Sequence, residues 1–162
     1  MITYYGHPEK LDEVREWYDG YRFGDADVFN PWSILSYVQS GFTIDSYWLN
    51  EGNPAIILES VRMNGPDAIQ VITDLYNDGS VESELNRNMI FADFGTIDGL
   101  LSLLTASGYL KAIPSDDGIW KLSLVNKEVK KGLLNQLVTG RWRPRYMNKL
   151  SKAVLEGSPE DV

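Results

Sequence analysis

Cysteine is missing from this chain altogether, and histidine occurs once, at His7. The first absence excludes disulfides and thiolate metal sites, and it agrees with a reducing compartment. The second leaves too few imidazoles for a His-based metal cluster, or for a Ser-His-Asp triad away from His7. Beside Pro8 and ahead of a charged stretch, His7 itself reads as a solvent-exposed loop residue. No apolar run approaches the roughly 18 residues that a membrane-spanning helix needs, and residues 1–10 lack the pattern of a secretory leader. Neither spanning nor secretion is expected, and the cytoplasm is the expected location. No GxxxxGK[ST] motif occurs, and no glycine-rich fingerprint follows a strand, so this chain offers no backbone cradle for a nucleotide. Positive charge is short as well: 15 Lys and Arg stand against 23 Asp and Glu, a net of −8. Long-range repulsion then opposes autonomous binding to a polyphosphate backbone, without excluding a local basic patch.

Aromatic residues are plentiful, and the chain concentrates them. Between Glu16 and Ile34, EWYDGYRFGDADVFNPWSI, lie Trp17, Tyr18, Tyr21, Phe23, Phe29 and Trp32, punctuated by Gly20, Gly24 and Pro31. Rings at that density would make a solvent-facing loop adhesive, so most must be buried in this domain or against a neighbour. Gly20 permits backbone angles that are costly for other residues, and Gly24 opens a tight turn into Asp25–Asp27. The local reading is a helix end, a short hairpin, and a new helix capped by Asn30 with Pro31 in its first position. Two roles for the rings stay open at this level: an internal mini-core, or a docking surface for an absent domain.

At 162 residues with an ordinary apolar share of 43%, the chain can build its own core. Helical spacing is expected over 8–18, with Leu11, Val14 and Tyr18 inward, and over 31–40, ended by Gly41. Residues 42–49 read as a short strand or an extended loop. Asn53–Pro54 starts a third helix through Met63, and Asn64–Gly65–Pro66 launches a fourth over 67–76. Val81 to Leu85 suggests a short strand, and 96–107 is the most apolar helix, closed by Gly108. YLKAI, PSDDG and IWKLSLV form a hairpin pattern. Asn126 caps a last helix over 127–138, with Glu128 and Lys131 three apart on one side and Val129, Leu133 and Leu137 as the buried ridge. The expected class is mainly α with a small β-hairpin, an α+β chain. Helices, a short strand, a helix and then a hairpin make the order of a winged helix.

Catalytic groups do not assemble. Asp116–Asp117 sits in the hairpin turn, and adjacent residues point apart. Glu82 and Glu84 share one face of a strand without a lysine in the pattern of a metal-dependent nuclease. As a DNA reader the winged helix is poorly furnished, because TIDGLLSLLTAS carries Asp98 and no basic residue to offer a base edge. A nucleic-acid alternative therefore rests on the basic tail, Arg141, Arg143, Arg145 and Lys149.

The stretch WYDGYRFGDADVFNPWSIL resembles the pattern WYDGYxFG followed by VYNPWSI found in bacterial AAA-ATPase-like proteins. Trp17-Tyr18-Asp19-Gly20-Tyr21, Phe23-Gly24 and Asn30-Pro31-Trp32-Ser33-Ile34 match, while Phe29 replaces the usual Tyr. Downstream, LLTASGYLKA (103–112) and VNKEVKKGL (125–133) resemble that family's LLxxxGYL and PNxEV segments, with Val125 where Pro is usual. The likeness covers about residues 3–140. It implies a P-loop ATPase core upstream and, often, a PD-(D/E)XK nuclease-like domain downstream, these being the partners of this portion. ATP and Mg would belong to the complete protein, with no cofactor and no catalytic residue in this chain. Residues 1–65 would then be a helical lid, 66–140 a winged-helix-like part and 141–162 a basic connector. Asp19, Tyr21, Arg22, Asn30 and Trp32 would form or border the face that meets the ATPase core. Arg22 suits a phosphate through its planar guanidinium, and an ion pair with Asp19 or Asp25 is the equal alternative.

Overall fold

Proline, asparagine and glycine punctuate this chain, and its elements begin and end on them. The computed structural model describes residues 7–23, 26–51, 55–115 and 117–139, with the side chains at 22–23, 50–51 and 136–139 outside that description. A single turn, Pro8–Lys10, runs into α1 (Leu11–Tyr18), and a two-stranded ribbon follows, β1 (Tyr21–Phe23) and β2 (Ala26–Val28). Then come α2 (Pro31–Gln39), α3 (Tyr47–Glu51), α4 (Ala55–Asn64) and α5 (Pro66–Asn77). The second half holds β3 (Val81–Glu84), a turn at Phe91–Gly95, α6 (Ile97–Ala106), β4 (Leu110–Pro114), β5 (Ile119–Leu124) and α7 (Lys127–Thr139). None of the described helices is long and apolar enough to cross a membrane.

Caps explain the boundaries. The Asn30 side chain accepts from the Trp32 N–H with Pro31 next in line, as expected of this sequence. At the far end of α2, Gly41 N–H donates to Val38 C=O and Phe42 N–H to Tyr37 C=O. That pair of bonds is a Schellman end, completed by the Phe42 ring packed edge-on against Tyr37. The same geometry closes α6, where Gly108 N–H donates to Thr105 C=O and Tyr109 N–H to Leu104 C=O.

Two apolar cores result. The larger gathers Leu49, Ile57 and Val61, the inner face of α5, Leu100, Leu101 and Leu104 of α6, Leu122 of β5, and Val129 and Leu133 of α7. The smaller joins Val14 and Tyr18 of α1 to Tyr37 of α2, with Trp17, Phe29 and Phe42 packed around them. β3, β5 and β4 form an antiparallel sheet in the order β3-β5-β4. Its inner face presents Leu110, Leu122 and Ser83 to the core, and its outer face carries Glu82 opposite Lys121. The chain is therefore mixed α and β, with seven α-helices and this three-stranded sheet among the described residues.

Some expectations need correcting. Residues 47–49 are neither strand nor loop: Tyr47 opens a short helix because its rings and those of Trp48 pack against Tyr18 and Tyr109. His7 does lie outside any helix or strand with its side chain 39% exposed, and it also makes contacts beyond that expectation, its ring 4.3 Å from that of Phe42 and its Nδ1 3.1 Å from Glu9. Glu128 does not share an outer face with Lys131; it is fully buried, and Lys131 reaches Asp45 at 3.3 Å instead.

Candidate functional site

The aromatic stretch divides residue by residue into an inward anchor and an outward face. Tyr18 is completely buried, and its hydroxyl donates to Asp45 C=O (3.0 Å) while lying 3.2 Å from the Asp45 N–H. Asp19 ends α1: its carboxylate accepts from the Gly20 N–H, and its carbonyl accepts from the Asn126 side chain. Asn126 in turn caps α7 through Val129 N–H, so one side chain ties the two motifs together. Gly20 has φ +98°, and a Cβ there would stand 2.6 Å from the Val125 carbonyl oxygen. Only glycine fits that approach. Tyr21 is partly buried, edge-on to Trp48 at 6.1 Å. Burial raises its hydroxyl pKa, with Glu128 and Tyr109 adding to the rise and the Asn30 side chain opposing it.

Ser33, the residue after Trp32, faces fully inward onto the carboxylate of Glu128, its Oγ 2.9 and 2.8 Å from the two oxygens. Trp48 N–H donates to the same carboxylate at 2.9 Å, the Tyr47 N–H contributes, and Ser46 Oγ donates to the Glu128 backbone carbonyl. Glu128 thus sits where the first turns of α2, α3 and α7 converge. Helix N-termini carry partial positive charge, which suits an acidic group without a salt bridge. Among the described residues no ion pair reaches Glu128. Desolvation nevertheless raises its pKa, with the Trp48, Ser33 and Tyr47 hydrogen bonds pulling the other way and Asp45 adding to the rise. Outside this clasp, Lys127 pairs with Glu16 at 2.5 Å, and the Lys131 ammonium lies 5.5 Å from the Trp17 ring centroid.

On the outside, Trp32 is 51% exposed, Leu35 46% and Val28 39%. Trp32 and Leu35 are three apart on α2 and share its outer face. A second group of exposed apolar side chains, Ile56, Met63, Ile90 and Phe91, belongs to α4 and the turn at 90–95.

Of the residues picked out from sequence, Asp19, Tyr21 and Asn30 are drawn into the anchor, and Trp32 alone of the set is a described, strongly exposed side chain. The Arg22 side chain lies outside the described residues; its backbone pairs with Asp27 across the hairpin. Gly24, Arg141, Arg143, Arg145 and Lys149 also lie outside them. Sequence reasoning missed Glu128, Ser33 and Ser46. The available signal was Gly132, four residues after Glu128 and buried against Leu49, which marks a close helix approach on that stripe. Among the described residues, no group of three His, Asp or Glu gathers as metal ligands would. Compared with family models, with curated proteins and with solved structures, the chain matches none.

Proposed function

We propose that this chain is a non-catalytic regulatory module that couples domains within a bacterial, cytoplasmic AAA-ATPase-like protein. In this reading residues 1–65 act as a helical lid and 66–140 as a winged-helix-like part. ATP and Mg are handled by an upstream P-loop core, and a nuclease-like domain follows the 141–162 connector. The carrying observation is the division of NPWSI: Ser33 is locked onto Glu128 while its neighbour Trp32 is held out with Leu35 and Val28. In this reading a contact made on Trp32 reaches α7 through the helical turn that Ser33 ties to Glu128. The strand order β3-β5-β4, with α5 before it and α6 ahead of the hairpin, supports a winged-helix comparison. α6 is buried without a break from Gly99 to Leu104, which leaves that stretch no free face to enter a DNA groove.

The test starts with the gene: a P-loop motif encoded upstream of Met1 is expected, and its absence overturns the reading. In the complete protein, Trp32→Ala with Leu35→Ala is expected to alter ATP turnover while leaving the isolated chain's stability within about 0.5 kcal/mol, as for surface changes. Unchanged turnover, or ATP hydrolysis by this chain alone, defeats the proposal. Tight, salt-dependent binding of duplex DNA by the chain alone would replace it with a nucleic-acid role for the basic tail.

A further inference from the structure

The sheet ends in a strand with one side unclaimed. β4 pairs with β5 on one side, and the order β3-β5-β4 leaves β4 at an edge. Two hydrogen bonds flanking the ladder settle which peptide groups face outward. Val125 N–H donates to Tyr109 C=O at 3.2 Å, and Ser115 N–H donates to Ile119 C=O at 2.9 Å. Bonded and non-bonded pairs alternate along an antiparallel ladder, so Tyr109, Lys111, Ile113 and Ser115 point their peptide groups toward β5. Leu110 and Ala112 then turn N–H and C=O away from β5; Leu110 is only 3% exposed, so Ala112 carries the accessible pair. Pro114, next in phase, offers only its carbonyl.

A groove of about 310 Å³ lies beside this edge, lined among others by Gly20 and Tyr21 at the hairpin entrance, Gly108 after α6, and Leu110, Lys111 and Ala112 of β4 itself. Its walls are mostly apolar side chains and backbone; Lys111 borders it, and by the register its side chain belongs to the other face of the sheet. On the outer face of the sheet Glu82 stands opposite Lys121, whereas Lys111 stands opposite Ser123, and among the described residues no carboxylate pairs with it.

We infer that β4 takes up an extended peptide as a further strand, with an acidic side chain beside Lys111 and a small apolar one entering the groove. Open ladder groups demand an extended backbone, and alternate side chains of an added strand reach the groove on one face and Lys111 on the other. Opposite charges across adjacent strands are favourable. A second copy of the chain is the wrong occupant. Antiparallel pairing of two β4 edges sets lysine near lysine, and two chains of net charge −8 repel. Lysine and proline are also the residues that keep edges from pairing with themselves. A short acidic strand from another source carries far less charge than a second copy and sets a carboxylate, not a second ammonium, beside Lys111.

The test uses the full chain, isotope-labelled, and a short acetylated peptide alternating valine and threonine around a central aspartate. A matched peptide with lysine at the centre is the control. Saturable binding of the aspartate peptide is expected, with exchange protection appearing at the Ala112 amide and shifts at Leu110 and Tyr21. Ala112→Pro removes an outward donor without touching the β4–β5 ladder, and it should weaken binding by about tenfold. Lys111→Glu should reverse the preference between the two peptides, an outcome that does not depend on how the proline variant folds. No saturable shift at Leu110 and Ala112 overturns the inference and leaves Lys111 and Pro114 as guards of the edge. Binding whose charge preference survives Lys111→Glu overturns it equally.

Discussion

Replacing Glu128 by alanine removes an acceptor from several buried donors at once. Ser33 Oγ–H, Trp48 N–H and Tyr47 N–H all lose their partner, in a place where Ser33 is completely buried. An orphaned buried donor costs roughly 1–3 kcal/mol. Trp48 is only partly buried, so water can reach part of the site, and the low end applies. The expected loss is about 3 kcal/mol, a large share of the 5–15 kcal/mol that holds a domain folded. Glu128→Gln keeps the shape and one acceptor oxygen, and it should cost about 1–2 kcal/mol. Urea unfolding followed by tryptophan fluorescence measures both, with Trp48 as a reporter beside the change. The two variants also differ in pH response. Burial raises the native pKa of Glu128 above its ordinary 4.5, so the folded state binds that proton more tightly than the unfolded one. Its stabilisation is complete below the ordinary value and is lost as pH rises through the native value. Glu128→Gln cannot titrate, so its deficit against the parent should be largest in acid and should narrow toward neutrality. An alanine variant within about 1 kcal/mol of the parent, or a glutamine variant as costly as alanine, would refute the clasp. A deficit that widens with pH would refute the sign.

Asn30→Ala takes the cap from α2 and should cost about 1 kcal/mol in thermal or urea unfolding, with Asn30→Ser recovering most of it. Gly20→Ala places a Cβ against the Val125 carbonyl at positive φ and should cost more than about 2 kcal/mol, read from the same unfolding curves. Lys127→Ala breaks an ion pair whose side chains are more than half exposed, so its effect should stay below about 1 kcal/mol and shrink with added salt.

Local features were legible from residue order alone, because caps and turns act over a few positions. Asn30-Pro31, Gly41, Gly108 and Asn126 mark helix ends by hydrogen bonds that span no more than five residues, and the alternation around PSDDG yields β4 and β5. Helix and strand types, α3 excepted, and the hairpin before α2 follow from such short-range rules. What only tertiary structure decided is where distant pieces meet. Glu128 looked like a surface acid because its neighbours Lys127, Lys130 and Lys131 are charged. It is interior because Ser33, 95 positions earlier, and Trp48, 80 positions earlier, bring their helix starts to it. The same holds for Trp32, thrust outward by the seating of Ser33, and for the open edge of β4, which exists because β5 pairs on its other side with β3. Periodicity records which residues share a face. Which face is covered depends on contacts between segments far apart in the chain, and no window of sequence contains both partners.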